Sequence, residues 1–413
     1  MSLRGVSIKE GAIGANVAGD SREFGLVCNG VAVANQVQLN TLITLRRPSD
    51  AAALGIDAAY DTANDVRVFR HISEFYRLAG EGRTLHLWLV AKSVMPVNMV
   101  AAAKQLVVES GGNISDIVFA FNPDSGYEST LIDGLNSDVK AAVPALQAFA
   151  AWCDEHDMPL HTVLEGRAIS DTLSSLVSLR DFQVSGNVLE ADKVTLVIGQ
   201  DYRYAETLSA LGKKFADVGT FLGNIASQAW NRNPGEVATQ NLTDVKLSEW
   251  LVGGLSNHKP YSEVFGDFET LNAKGYVFPV RYQGTAGWYW NDGHTCTPVV
   301  LDAAGNINLH AIYYSHTIDM AKRALRAAYM PEVKKPVELD ENGKLTTDMV
   351  DYYNAVGNNV FGELAGRGLI SDGYTNTDPE SDLLIEKVLN VQFAVIPTGM
   401  INEIKGTINL KNQ

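Results

Sequence analysis

Strand-like and helix-like segments alternate from residue 24 to about residue 200, and this alternation restricts the fold more than any other feature of the chain. Phe24 to Val33 reads as a buried strand ending in a turn, and Thr41 to Leu45 as another. Ser49 and Asp50 suit the N-cap of the alanine-rich turn Ala51 to Leu54. Between Asp65 and Leu78, apolar Val68, Ile72, Phe75 and Leu78 follow helical spacing, and Gly80 and Gly82 end the run. A strand from Thr84, a helix over Asn98 to Glu109 and a strand over Ile117 to Phe121 come next. A helix from Ser137 to His156 and a strand over Leu160 to Glu165 follow. The stretch from Leu173 to Leu179 reads as helical, and Val194 to Gly199 as a strand. Such alternation predicts an α/β layer domain with a largely parallel or mixed sheet. A length of 413 residues leaves room for a second domain.

The second half reads differently. Val218 to Ala226 is glycine-rich, with Gly223 allowing close backbone packing. Tyr276 to Tyr282 and Gly287 to Gly293 are strand-like, and Ile312, Tyr313 and Tyr314 read as a strand between His310 and His316. A helix over Ser315 to Met330 turns Ile318, Ala321, Leu325 and Ala328 inward and Lys322, Arg323 and Arg326 outward. A charged connector, Val333 to Lys344, leads to a helix from Thr346 to Leu364. Met349, Tyr353, Val356, Val360 and Leu364 share one of its faces, and Gly366 and Gly368 end it. The closing strands are expected from near Leu383. Val391, Phe393 and Val395 alternate with their neighbours, as in a strand with one buried face, and Pro397 stops the run. Ile408 and Leu410 then alternate with Thr407, Asn409 and Lys411, a short strand that needs a sheet to join. The Thr398-Gly399 break lets this tail turn away from its own domain. At the other end, Val6 and Ile8 alternate with Ser7 and Lys9 ahead of Gly11, Gly14 and Gly19. Two readings stand here: frayed ends, or arms that add strands to adjacent subunits.

A formal net charge of −15 argues against a nucleic-acid surface, which needs clustered Lys and Arg. Cys28, Cys153 and Cys296 are too scattered for a disulfide framework or a zinc knuckle. The first residues hold no apolar signal core, and no apolar run approaches the roughly 20 residues that span a bilayer. A soluble protein made inside a cell is therefore expected, with no direct membrane insertion.

Motifs that carry chemistry fail on spacing. Gly212-Lys213-Lys214-Phe215 lacks the flanking residues of a P-loop, and Gly80 and Gly82 lack the third glycine of a dinucleotide fingerprint. His156 with His161, His294 with Cys296, and His310 with His316 do not present metal-ligand spacing. Glu165 and Asp171 could form a carboxylate pair but read more simply as a strand end and a helix cap. Trp288, Tyr289 and Trp290 suit a core or a subunit interface. No catalytic, cofactor or metal residue is expected, so a structural subunit is a better expectation than an enzyme.

The order of segments resembles that of contractile tail sheath proteins. Gly5-Val6-Ser7-Ile8-Lys9-Glu10, a glycine-rich stretch and Phe24-Gly25-Leu26-Val27-Cys28 are similar to the family's opening strands. Val218 to Ala226 followed by Asn233-Pro234-Gly235-Glu236 resembles its central segment, and Gly287 to Thr295 its tryptophan-bearing strand. The two late helices and the closing strands keep the family's order. Ser7, Asn291, Asp292 and His294 depart from its usual residues, as in a divergent member.

The resemblance implies an arm over 1–20, an outer α/β domain over 21–274, a smaller inner α/β domain over 275–400 and an arm over 401–413. It also implies a six-fold helical sleeve of this chain around a tail tube protein, with baseplate and tail terminator proteins as further partners. Contraction of the sleeve would drive the tube through a target envelope. Val6, Ile8, Ile404, Ile408 and Leu410 would link subunits, and Gly11, Gly14, Gly19 and Gly399 would act as hinges. Lys322, Arg323 and Arg326 become candidates to face the tube. Assembly would occur in a host bacterial cytoplasm, leaving the product in a virion tail or injection particle. An α/β enzyme with a dispersed small-molecule site and a static shell protein are the alternatives.

Overall fold

Hydrophobic strands buried on both faces need helices on both sides, and the computed structural model, which describes residues 22–303 and 305–411, has that arrangement. Val6, Ile8, Gly11, Gly14 and Gly19 lie outside the described residues. The central sheet comprises β1 (Glu23–Asn29), β2 (Leu42–Leu45), β3 (Leu85–Val90), β4 (Ile114–Ala120), β5 (His161–Glu165) and β6 (Val194–Val197). Their order is β6-β5-β4-β1-β3-β2, parallel except for β2, which runs antiparallel to β3. The expected mixed α/β architecture is thus present.

Alternate strand residues feed two cores. Val27, Trp88, Ile117, Phe119, Leu164 and Leu196 pack against α2 (Met99–Glu109) and α3 (Ser137–Glu155). Leu26, Cys28, Leu87, Val118, Val163 and Val197 pack against α1 (Val68–Ala79) and α4 (Val218–Ser227). The α1–α4 crossing depends on Gly219, where an added Cβ would sit 2.5 Å from both the Cα and the carbonyl oxygen of His71.

The region past residue 274 joins the same body before it separates. Tyr276, Phe278 and Cys296 belong to the first core, and Trp288, Trp290, Ile312 and Tyr313 to the second. Hydrophobic packing therefore crosses residue 275 without a break. A third, smaller cluster gathers Met320, Leu325, Phe361, Leu364 and Ile370 from α5 (Ile312–Tyr329), α6 (Thr347–Gly366) and the turn after it. A two-stranded antiparallel ribbon, β7 (Asp372–Thr377) with β8 (Val391–Ile396), lies on this cluster.

Several local expectations need correction. Residues 173–181 hold two single 3₁₀ turns in place of a helix. Ile312, Tyr313 and Tyr314 open α5, because Ala311 is extended and the helix begins directly after it. The short helix near residue 50 starts at Pro48 with Arg47 as its cap residue, and Asp50 sits in its first turn. On α6 the buried residues are Tyr353, Gly357, Phe361 and Leu364, a face rotated from the expected Val356–Val360 stripe. The closing strands begin at Asp372, and β8 is only half-buried, since a ribbon of two strands has little to cover it. Arg323 points inward. Its guanidinium donates to the carbonyls of Ile114 at 2.8 Å, Pro159 at 2.7 Å and Gly112 at 3.3 Å.

Candidate functional site: a half-open ribbon, a groove and a free tail

The ribbon's two outer edges differ. Asp378 donates to the carbonyl of Asn390 in the ribbon's own register, so Thr375 and Thr377 fall at pairs whose backbone groups point away from β8. Both outward N–H groups are occupied. Asn358 Oδ1 accepts from Thr375 at 2.9 Å, and Asn354 Oδ1 accepts from Thr377 at 2.8 Å. The asparagines stand four residues apart on α6 and so share one face. They close the β7 edge with side chains. By the same alternation Val391, Phe393 and Val395 aim their backbone groups outward from β8, where no hydrogen bond reaches them among the described residues. An edge of this kind is a template for a further strand.

Beside that edge opens a groove of about 1150 Å³, lined by Leu325, Tyr329, Met330, Leu384, Val391 and Phe393 with a rim of mixed charge. Phe393 stacks edge-on against Tyr329 at 5.6 Å, and Met330, Leu384 and Phe393 remain exposed. Lys322 and Arg326 stand at the rim about half exposed, paired with Asp154 at 2.5 Å and Asp157 at 2.8 Å. The expected three-cation outward face is therefore two cations, each with a carboxylate of its own.

The C-terminal tail leaves the ribbon and is tied to the main body. Asn231 donates to Thr398 Oγ1 at 3.0 Å, Met400 packs against the second core, and Asn402 donates to Asp292 at 3.0 Å. Gly399 has nothing within 4 Å of where a Cβ would be. Beyond Asn402 the chain forms no strand among the described residues, and Ile404, Ile408 and Leu410 are 86%, 96% and 102% exposed. Three aliphatic side chains of one parity thus stand in solvent.

The remaining sequence candidates are structural. Glu165 is fully buried, accepts from the backbone of Phe121 at 2.5 Å and Ala216 at 3.1 Å, and has no pairing with exposed Asp171. His294 bridges Arg180 and Asn272 at 2.8 and 2.9 Å. Trp288, Tyr289 and Trp290 are core residues. Among the described residues no cluster of ligating side chains could hold a metal ion, and no helix is long and apolar enough to cross a membrane. Asn354 and Asn358 escaped the sequence reading. Their signal was two poor helix formers spaced one turn apart beside Gly357.

A family model described as the N-terminal domain of DUF2586 matches residues 4–294. The chain belongs to the DUF2586 family. No curated protein matches it. Solved structures similar to this DUF2586 chain include the helical sheath of the anti-feeding prophage in its contracted state. That structure is 12% identical with a TM-score of 0.56, and 99% of each chain is covered. A chain of the anti-feeding prophage baseplate is 13% identical, with a TM-score of 0.60 over 100% of this chain and 99% of that one. The contracted PVC sheath complex of an extracellular contractile injection system is 11% identical, with a TM-score of 0.59 over 100% and 98%. This DUF2586 chain has the contractile sheath fold.

Proposed function

We propose that the chain is the structural subunit of a contractile sheath, polymerising head to tail with six-fold helical symmetry around a tail tube and shortening to drive that tube through a target envelope. It performs no catalytic step and takes no cofactor. The observation that carries the reading is the pairing, on one chain, of an open β8 edge with an uncovered alternating tail. A heterologous contact between two such features does not close and generates a helix. Addition of Ile404 to Leu410 from a neighbouring copy to the Val391–Val395 edge would supply main-chain bonds, while the groove would receive the aliphatic side chains. Residues 1–20 would act as a second arm, with Val6 and Ile8 in the donated strand and Gly11, Gly14, Gly19 and Gly399 giving the arms their bends. Lys322 and Arg326 would face the tube, since Arg323 is committed to the body. Baseplate and terminator proteins would meet the two ends of the sleeve in a virion tail or injection particle, following assembly in the bacterial cytoplasm.

Deleting residues 401–413 tests this. The truncated protein is expected to keep its circular dichroism spectrum and remain monomeric, and to form no tubes in electron micrographs at concentrations where the full chain does. Tubes built by the truncated protein would refute strand donation.

A further inference from the structure

Arg70 of α1 is buried among four carboxylates from separate parts of the chain. Its Nε meets Asp217 at 3.2 Å, its Nη2 lies 3.7 Å from Asp201 and 3.8 Å from Glu74, and its Nη1 bonds Glu249. Arg77 pairs with Glu74 at 2.6 Å, Thr220 of α4 donates to Glu74 at 3.0 Å, and the Tyr204 ring stacks on Arg70 at 4.2 Å. His71, pushed down to about 3 by burial and by Arg67 and Arg70, is neutral beside them. Four carboxylates against two guanidinium groups leave an excess of buried negative charge.

The cluster holds one loop, 241–252. Trp250 donates its backbone N–H to Asp201 at 2.6 Å and its indole N–H to Glu74 at 3.1 Å, while the adjacent Glu249 bonds Arg70. The loop backbone is strained. Ser248 and the fully buried Trp250 have φ of 60° and 52°, in the left-handed region that a bulky side chain avoids. At the loop's tip Val245 and Leu247 are 75% and 61% exposed. A strained segment of this kind persists only while its surroundings hold it.

We propose that the Arg70 cluster is a proton-sensitive latch that holds the strained loop 241–252 against α1 and releases it as a proton leaves the cluster. Burial, reinforced by Glu74 and opposed by Arg70, lifts Asp217 from 3.8 to about 7, and burial raises Glu249 as well. The closed latch therefore binds a proton that a released carboxylate does not. Its hold is favoured by low pH, weakens as pH rises from about 4 to about 7, and levels off above. Glu74 acts in the opposite sense: Arg70 and Arg77 overcome its burial and hold it at about 2, so its contribution fades below 4.5. The latch is tightest near pH 4. This device is independent of the sheath reading, since it lies within one subunit.

Hydrogen exchange of the full-length protein, read on peptides covering 241–252 between pH 5 and 8 and corrected for intrinsic rates, tests the latch. Loop opening is expected to increase with pH up to about 7, by at most about tenfold per pH unit for one linked proton, and then to flatten. Asp217→Asn should reduce the slope. Glu249→Gln, which removes the loop's ion pair with Arg70, should speed exchange at every pH. Loop protection independent of pH, an unchanged slope in Asp217→Asn, or unaltered exchange in Glu249→Gln would each overturn the proposal.

Discussion

Replacing His316 with alanine should be among the most destabilising single changes in the chain, although His316 lies far from any sheet edge. His316 Nε2 meets Asp116 Oδ1 at 2.6 Å where α5 crosses the sheet, and both side chains are buried. The other carboxylate oxygen has Ser115 Oγ at 2.7 Å. His161, beside the pair, bonds Ser315 and Thr195 and is driven well below the usual histidine range by burial and by His316. Against the upward push of burial, His316 holds Asp116 down to about 2 from 3.8. That difference is worth about 2.4 kcal/mol at 1.36 kcal/mol per pH unit. Removing one member of a buried pair costs about 3–5 kcal/mol because the other charge is stranded. Both figures exceed what a surface pair provides. The pH dependence has a definite sign. A depressed folded pKa contributes stability above pH 3.8 that disappears as pH falls through 2. In the variant, burial without a partner raises Asp116, which then relieves itself by taking a proton. The stability gap between wild type and His316→Ala should therefore be widest near pH 7 and narrow as pH falls. Urea unfolding followed by tryptophan fluorescence at pH 7, 5 and 4 measures it, and adding Asp116→Asn should recover part of the loss. A gap below about 1 kcal/mol at pH 7, or one independent of pH, would refute the account of this pair.

Three further outcomes are expected. Gly219→Ala should cost about 1–3 kcal/mol in denaturant unfolding, since the new methyl meets the backbone of His71 at 2.5 Å and neither helix can yield without disturbing the second core. Asn354→Ala with Asn358→Ala should uncover the N–H groups of Thr375 and Thr377, giving the ribbon two open edges, and light scattering should record irregular aggregation in place of ordered tubes. Lys322→Ala and Arg326→Ala should each change monomer stability by less than about 1 kcal/mol, as exposed pairs do, so any larger effect on tube-bound assembly would report on partner contact.

The parts of the fold legible in sequence were those where one local pattern had one structural solution. β1, β3, β4, β5 and β6 are short apolar runs bounded by turns, the pattern of strands buried on both faces of a parallel sheet. α6 shows where periodicity misleads. Val356 and Val360 look like its inward stripe, yet Gly357 and Phe361 occupy it, because β7 comes so close that a Cβ at residue 357 would be 2.2 Å from Thr375 Oγ1. Ile312, Tyr313 and Tyr314 have strand propensity, but the polar seam of His316–Asp116, Asp319–Lys193 and Arg323 with three carbonyls fixes this segment as a helix on the sheet. In sequence Arg323 reads as a surface cation, because its partners are main-chain oxygens, which leave no mark on a charge pattern.

The candidate site was half legible, and the division has a physical basis. A donor strand carries its signal in its own side chains, so the parity of Ile404, Ile408 and Leu410 was visible in the chain itself. An acceptor edge is made of backbone groups that every residue possesses. What distinguishes β8 from β7 is that two asparagines on a helix some twenty residues upstream occupy one edge and, among the described residues, nothing bonds the other. Only the ribbon's register reveals that Asn354 and Asn358 face Thr377 and Thr375 rather than solvent. If the tail of one copy seeks an edge on another, the asparagines leave it β8 alone, so a symmetric ribbon is converted into a polar one with a single direction of growth.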